Sequence, residues 1–146
     1  MGYQLLVWDG PRPEDDATAG IVCGEMMRQY FVGAGFEPTP PIRAFVEALT
    51  DRWPEDQEHF GSDDSPWKFP PLLDEASGPA LFLNLRFGVG ERAAFVMAEM
   101  AADQGLVTFD LYMRIMRPAP AEITDQIYRR WWADVFAKID MHDHSP

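Results

Sequence analysis

Trp8-Asp9-Gly10 and Phe109-Asp110 each set a carboxylate directly after an apolar run that reads as a strand. If those strands were parallel neighbours, the two acids would meet at one end of a sheet and could share a divalent ion. Asp before Gly also closes turns. The turn reading is preferred, because neither Asp has a second carboxylate or a basic residue beside it at a spacing suited to phosphoryl transfer. Asp74-Glu75-Ala76-Ser77-Gly78-Pro79 is the other crowded stretch. Its acids and serine either satisfy turn backbone or line a recognition groove with Trp67, and both readings stay open.

The remaining reactive residues point less clearly to chemistry. His142 and His144, with Asp140 and Asp143, have the makings of a loose metal site, but they lie in a tail that is expected to fray. His59 stands alone in an acidic loop. Cys23 falls on an apolar helical face without local positive charge, which suits a small core residue better than a nucleophile. Gly88-Val89-Gly90 lacks the third glycine or the lysine of a phosphate loop and reads as a turn. No GxSxG, HExxH or CxxC motif occurs. No catalytic residue, metal or cofactor is therefore expected.

These residues need elements to position them. Tyr3 to Trp8 reads as a buried strand ended by Asp9-Gly10-Pro11. Pro13 and the acids Glu14, Asp15 and Asp16 suit the start of a helix, with Ala19, Val22, Cys23, Met26 and Tyr30 on one face. Gly20 and Gly24 weaken that helix unless another element packs close to it. Thr39-Pro40-Pro41 opens a second helix, whose stripe is Ile42, Phe45, Val46, Leu49 and Trp53, and Pro54 ends it. Residues 55–64 read as an exposed acidic loop.

In the second half, Leu81, Leu83, Leu85 and Phe87 share one face of a strand at period two. A helix from about Glu91 to Gln104 is apolar nearly all round and is expected to be well covered. Leu106 to Asp110 reads as a short strand and Tyr112 to Arg117 as another. After Pro118 and Pro120, a last helix from about Glu122 to Ile139 carries Tyr128, Trp131, Trp132, Val135, Phe136 and Ile139. That stripe is either a docked core face or an interface. The expected fold is α+β: a small mixed sheet of three or four strands with helices packed on it, in the order β-α-α-β-α-β-(β)-α. Short connections and helical crossovers favour helices on one face. Residues 1–118 form the core domain, with residues 119–146 as an aromatic helix and tail packed on it.

Composition narrows the function. At 146 residues the chain fits one domain that needs no disulfide or metal staple, and the single Cys23 cannot form an internal disulfide. No apolar run is long enough to span a bilayer, and the N-terminus lacks the pattern of a signal peptide, so a cytoplasmic protein is expected. The net charge of −12, from 24 acidic and 12 basic residues, repels nucleic acid and anionic membranes and attracts basic proteins.

In order along the chain, Val7-Trp8-Asp9-Gly10-Pro11-Arg12-Pro13, Pro38-Thr39-Pro40, Ile42 to Leu49, Arg52-Trp53-Pro54, Ser65-Pro66-Trp67, Ala76-Ser77-Gly78-Pro79 and Gly105-Leu106-Val107 with Phe109-Asp110 form a set. With these segments the chain resembles a group of small bacterial proteins of actinobacterial type. The group brings no activity with it, so no residue role carries over. In size, acidity and single-domain form it is similar to stand-alone immunity proteins of bacterial toxin systems, a likeness of style. The chain departs from the group's pattern at Arg86-Phe87-Gly88-Val89-Gly90, after Asp110, and in its added C-terminal helix.

The expected function is an acidic protein-binding module, an immunity protein that neutralises a basic cognate toxin. Asp56, Glu58, Asp63, Asp64, Trp67, Asp74 and Glu75 are the expected contacts. The alternatives are a small ligand- or metal-binding enzyme with Asp9, Asp74, Glu75 and Asp110 around a pocket, and a homodimer formed through the last helix.

Overall fold

The computed structural model describes residues 2–55, 65–68 and 71–118. Strand β1 (Tyr3–Asp9) is followed by helices α1 (Asp16–Tyr30) and α2 (Pro40–Arg52). A single 3-10 turn, Leu72–Glu75, leads into the hairpin of β2 (Ala76–Ser77) and β3 (Ala80–Leu85). Helix α3 (Val89–Asp103), β4 (Leu106–Asp110) and β5 (Ile115–Arg117) complete the described chain. The fold is α+β, as expected. The last helix and its aromatic stripe, the acidic loop residues 56–64 and the histidine tail lie outside the described residues.

The sheet has five strands in the order β2-β3-β1-β4-β5, and every paired neighbour is antiparallel. This corrects the expected mixed sheet of three or four strands. Strands β3 and β4, joined by α3, run in the same direction but do not touch, because β1 lies between them and opposes both. The crossover therefore produces no parallel ladder. The additional strand is β2, two residues long and formed by the Gly78-Pro79 hairpin turn.

Strand β1 is central, so both of its faces are covered. Leu5 and Val7 join Leu81, Leu83 and Leu85 in a core beneath α2 and α3. Leu6 and Trp8 join Val107, Phe109 and Met116 in a second core beneath α1. The helices thus lie on both faces, not on one. A run such as Leu5-Leu6-Val7-Trp8, apolar at every position, is what a strand covered on both sides requires. Each of these side chains contributes on the order of 1.5–3 kcal/mol on burial before ordering entropy is counted.

Local sequence explains the helices. The Asp15 side chain caps α1 by accepting the Thr18 N–H at 2.7 Å, and this hydrogen bond holds the carboxyl below its ordinary pKa. A Cβ on Gly20 would stand 3.1 Å from Arg114 Nη2, so this glycine lies close to the 110–114 turn, while nothing lies within 4 Å of a Cβ on Gly24. Pro40 begins α2, and Ile42, Phe45, Val46 and Leu49 are buried along one stripe as expected. Gly88 opens α3 at φ +85°, and a Cβ on Gly90 would meet Leu85 at 2.7 Å. Gly88 is in a turn, as expected, whereas Gly90 already belongs to α3 and lets the helix lie tight on β3.

Two expectations about the second half change. Helix α3 is not covered all round, since Phe95 and Val96 remain exposed. The expected strand from Tyr112 begins only at Ile115, and the residues before it form a turn. Among the described residues, no helix is long and apolar enough to cross a membrane.

Candidate functional site

Asp110 closes β4, and its side chain is completely buried. Burying a carboxylate is costly unless its oxygens are fully used. Here the Tyr3 hydroxyl donates to Oδ2, and Arg117 Nε lies 2.9 Å from the same oxygen. Oδ1 accepts the backbone N–H groups of Tyr112 at 2.9 Å and Met113 at 2.8 Å. The register explains the meeting: Asp110 stands opposite Leu5, two residues from Tyr3, while Arg117 is on the neighbouring strand β5. Burial and the Asp110 hydrogen bond raise the Tyr3 phenol well above its ordinary pKa, so it stays protonated as a donor.

This cluster fixes the turn that follows it. The Leu111 N–H donates to the Gln4 carbonyl at 3.1 Å, and the Arg114 N–H donates to the Asp110 carbonyl at 2.8 Å. Every N–H from Leu111 to Arg114 thus has a partner. Arg114 ends the turn at φ +58°, an uncommon conformation for a residue other than glycine. Its guanidinium lies 5.9 Å from the Phe109 ring centroid, against the α1 side.

The anchored turn leaves large apolar side chains in water. Tyr112 is 67% exposed, Met113 55% and Phe87, just beyond β3, 50%. The rings of Tyr3, Phe87 and Tyr112 form a triangle, with centroid separations of 6.3 Å for Tyr3–Phe87, 5.8 Å for Tyr3–Tyr112 and 6.2 Å for Phe87–Tyr112. Phe95 carries the Arg117 guanidinium 4.7 Å from its ring centroid. An aromatic surface thus stands on a buried, hydrogen-bonded base at one end of the sheet. Chemically, it offers ring faces, a thioether and the phenol of Tyr112. Among the described residues no group of three His, Cys, Asp or Glu gathers as metal ligands.

Those expected contact residues that are described lie elsewhere. Trp67 is not an exposed contact: it is 1% exposed, packs edge-on against Trp53 and donates its indole N–H to the Trp53 carbonyl at 2.7 Å. The backbone around it straps onto the end of β3, with Lys68 N–H to the Asn84 carbonyl at 3.3 Å and Arg86 N–H to the Pro66 carbonyl at 2.8 Å. That pairing turns the ring inward. Asp74 and Glu75 sit in the 3-10 turn at the opposite edge of the sheet from β5, and Asp74 is exposed. Asp56, Glu58, Asp63 and Asp64 lie outside the described residues.

Asp9 and Asp110 do not meet. Their strands are antiparallel, so Asp9 faces Leu106 while Asp110 faces Leu5. Four residues of β1, about 13 Å, separate the two levels. Asp9 is exposed beside the hairpin turn, where its N–H donates to the Pro79 carbonyl at 2.8 Å. Ser77 serves structure, its hydroxyl accepting the Phe36 N–H at 3.0 Å. Burial pushes the Cys23 thiol up to about 11, as befits a core residue.

Sequence reasoning missed Phe87, Phe95, Tyr112 and Met113 as a surface. A local signal existed: Asp110-Leu111-Tyr112-Met113 has the spacing of an Asp that accepts the N–H groups two and three residues on. Reading Tyr112 as strand concealed it. Comparison of the chain with protein-family models, with curated proteins and with solved structures finds no match.

Proposed function

We propose that the protein is a binding module that docks a partner protein on Phe87, Tyr112 and Met113. The observation that carries this reading is the hydrogen-bonded turn held by Asp110, which presents two large side chains to water beside a third ring. Tyr and Met are enriched at interfaces, and a pre-ordered anchor loses little entropy on binding. Strand addition fits less well. The Met116 N–H on the outer edge of β5 donates to Asp16 Oδ1 at 2.9 Å, and β2 at the other edge is two residues long.

The finer reading is an immunity protein that neutralises a basic toxin in the bacterial cytoplasm. Its support is the net charge of −12, which would steer a basic partner, together with the likeness of style to immunity proteins. A role as an enzyme around Asp9, Asp74, Glu75 and Asp110 has less support, because Asp9 and Asp110 stand at opposite ends of their strand pair.

The test is capture from native lysate with the tagged full chain and with its Phe87→Ala/Tyr112→Ala variant. One stoichiometric partner held by the first and lost by the second supports the docking surface; equal capture by both overturns it. For the finer reading, that partner expressed alone should stop growth, and co-expression of this chain should restore it.

A further inference from the structure

Glu91 and Phe95 lie four residues apart in the first turns of α3, and Phe87 precedes that helix, on the far side of its Gly88 cap. At this spacing, side chains stack on one side of a helix. Phe95 lies over Arg117 and Phe87 against Tyr3, so this side faces the Asp110 cluster. Glu91 is exposed and close enough to Tyr3 to act on its phenol electrostatically. Among the described residues it has neither an ion-pair nor a hydrogen-bond partner. Arg92, the next residue, stands about 100° round the helix.

A carboxylate with no partner among the described residues, beside ring faces, is a poor site for an aliphatic side chain, which would strip water from the carboxylate without replacing its hydrogen bonds. A guanidinium answers both features, since it can bond the carboxylate and lie over a ring. The acidic field of the whole chain adds attraction in the same sense.

We infer that the partner's anchor on this surface is an arginine side chain, held by the Glu91 carboxylate and the faces of Phe87 and Tyr112. The inference rests on the docking reading and specifies the chemistry of what docks. The partner surface is therefore basic where it meets this chain, with arginine at its centre.

The experiment is amide-resolved NMR of the isotope-labelled full chain, titrated with a blocked Gly-Arg-Gly peptide. Control peptides replace arginine with citrulline, of similar shape but neutral, or with leucine. The expected result is a saturable shift at Phe87, Glu91, Tyr112 and Met113 with the arginine peptide. Citrulline should bind about threefold to tenfold more weakly, and Glu91→Gln should weaken arginine binding by a similar factor. Glu91 is exposed, so the variant folds, and its own spectrum verifies that.

Shifts from the leucine peptide alone would overturn the arginine assignment while leaving a docking surface. Silence from every peptide would also overturn it, and the docking reading would still stand if Phe87→Ala/Tyr112→Ala lost the captured partner. Shifts at the same amides on simple dilution would assign the surface to a second copy of the chain and overturn the basic partner.

Discussion

The Ser65–Lys68 strap and the 110–114 turn are both short, irregular and built around one aromatic residue, yet Trp67 points inward and Tyr112 outward. The strap gives its backbone to the edge of β3, which leaves the indole to fill the space beside Trp53 and reach that residue's carbonyl. The turn gives two of its N–H groups to a buried carboxylate, so its side chains are left facing water. An aromatic loop residue is thus sorted by what satisfies its backbone. The strap contributes to stability, and the turn uses stability from the core to hold a surface in place.

The comparison breaks most sharply at Asp110. Asp110→Ala takes the carboxylate from the buried Arg117 guanidinium and frees two turn N–H groups, so a loss of about 3–5 kcal/mol is expected in urea unfolding. Trp67→Ala should cost a similar or slightly smaller amount, about 3–5 kcal/mol, through the cavity it leaves. It should leave the amide signals of Tyr112 and Met113 in place while the protein remains folded. If Trp67→Ala is nearly neutral, the two segments do not differ in the way described.

Phe87→Ala/Tyr112→Ala sharpens the contrast from the other side. It should change stability by about 1 kcal/mol or less, because these rings already face water. Partner affinity should fall by about thirtyfold or more, the size of one interface hot spot. Calorimetry and a binding titration on the same preparation separate the two effects.

A further effect is set by pH at Tyr3. Its phenol is raised above the ordinary value of 10.0 in the folded chain, so the unfolded chain loses this proton first. The stabilisation is complete below that value and declines as pH rises beyond it. Urea midpoints at about pH 8 and about pH 11 should show a fall that is shallower in Tyr3→Phe. At the lower pH, the variant should cost about 1.5–3 kcal/mol for the lost hydrogen bond to a charged group. An unchanged alkaline slope would remove Tyr3 from the base of the aromatic surface.

Local pattern alone determined the class of the protein and most of its elements. The stripe of α2, the alternation of Leu81, Leu83 and Leu85, the unbroken apolar run of β1 and the acids opening α1 all act through neighbours a few residues away. The tertiary structure alone decided that β1 lies between β3 and β4. That placement sends Asp9 and Asp110 to opposite ends of the sheet, brings Tyr3 and Arg117 to Asp110, and leaves Phe87, Phe95 and Tyr112 uncovered. The physical reason is that an alternating run specifies which face of a strand is apolar but not which strand it joins or in which direction. Those are settled by contacts far apart in sequence, such as the 107 positions that separate Tyr3 from Asp110.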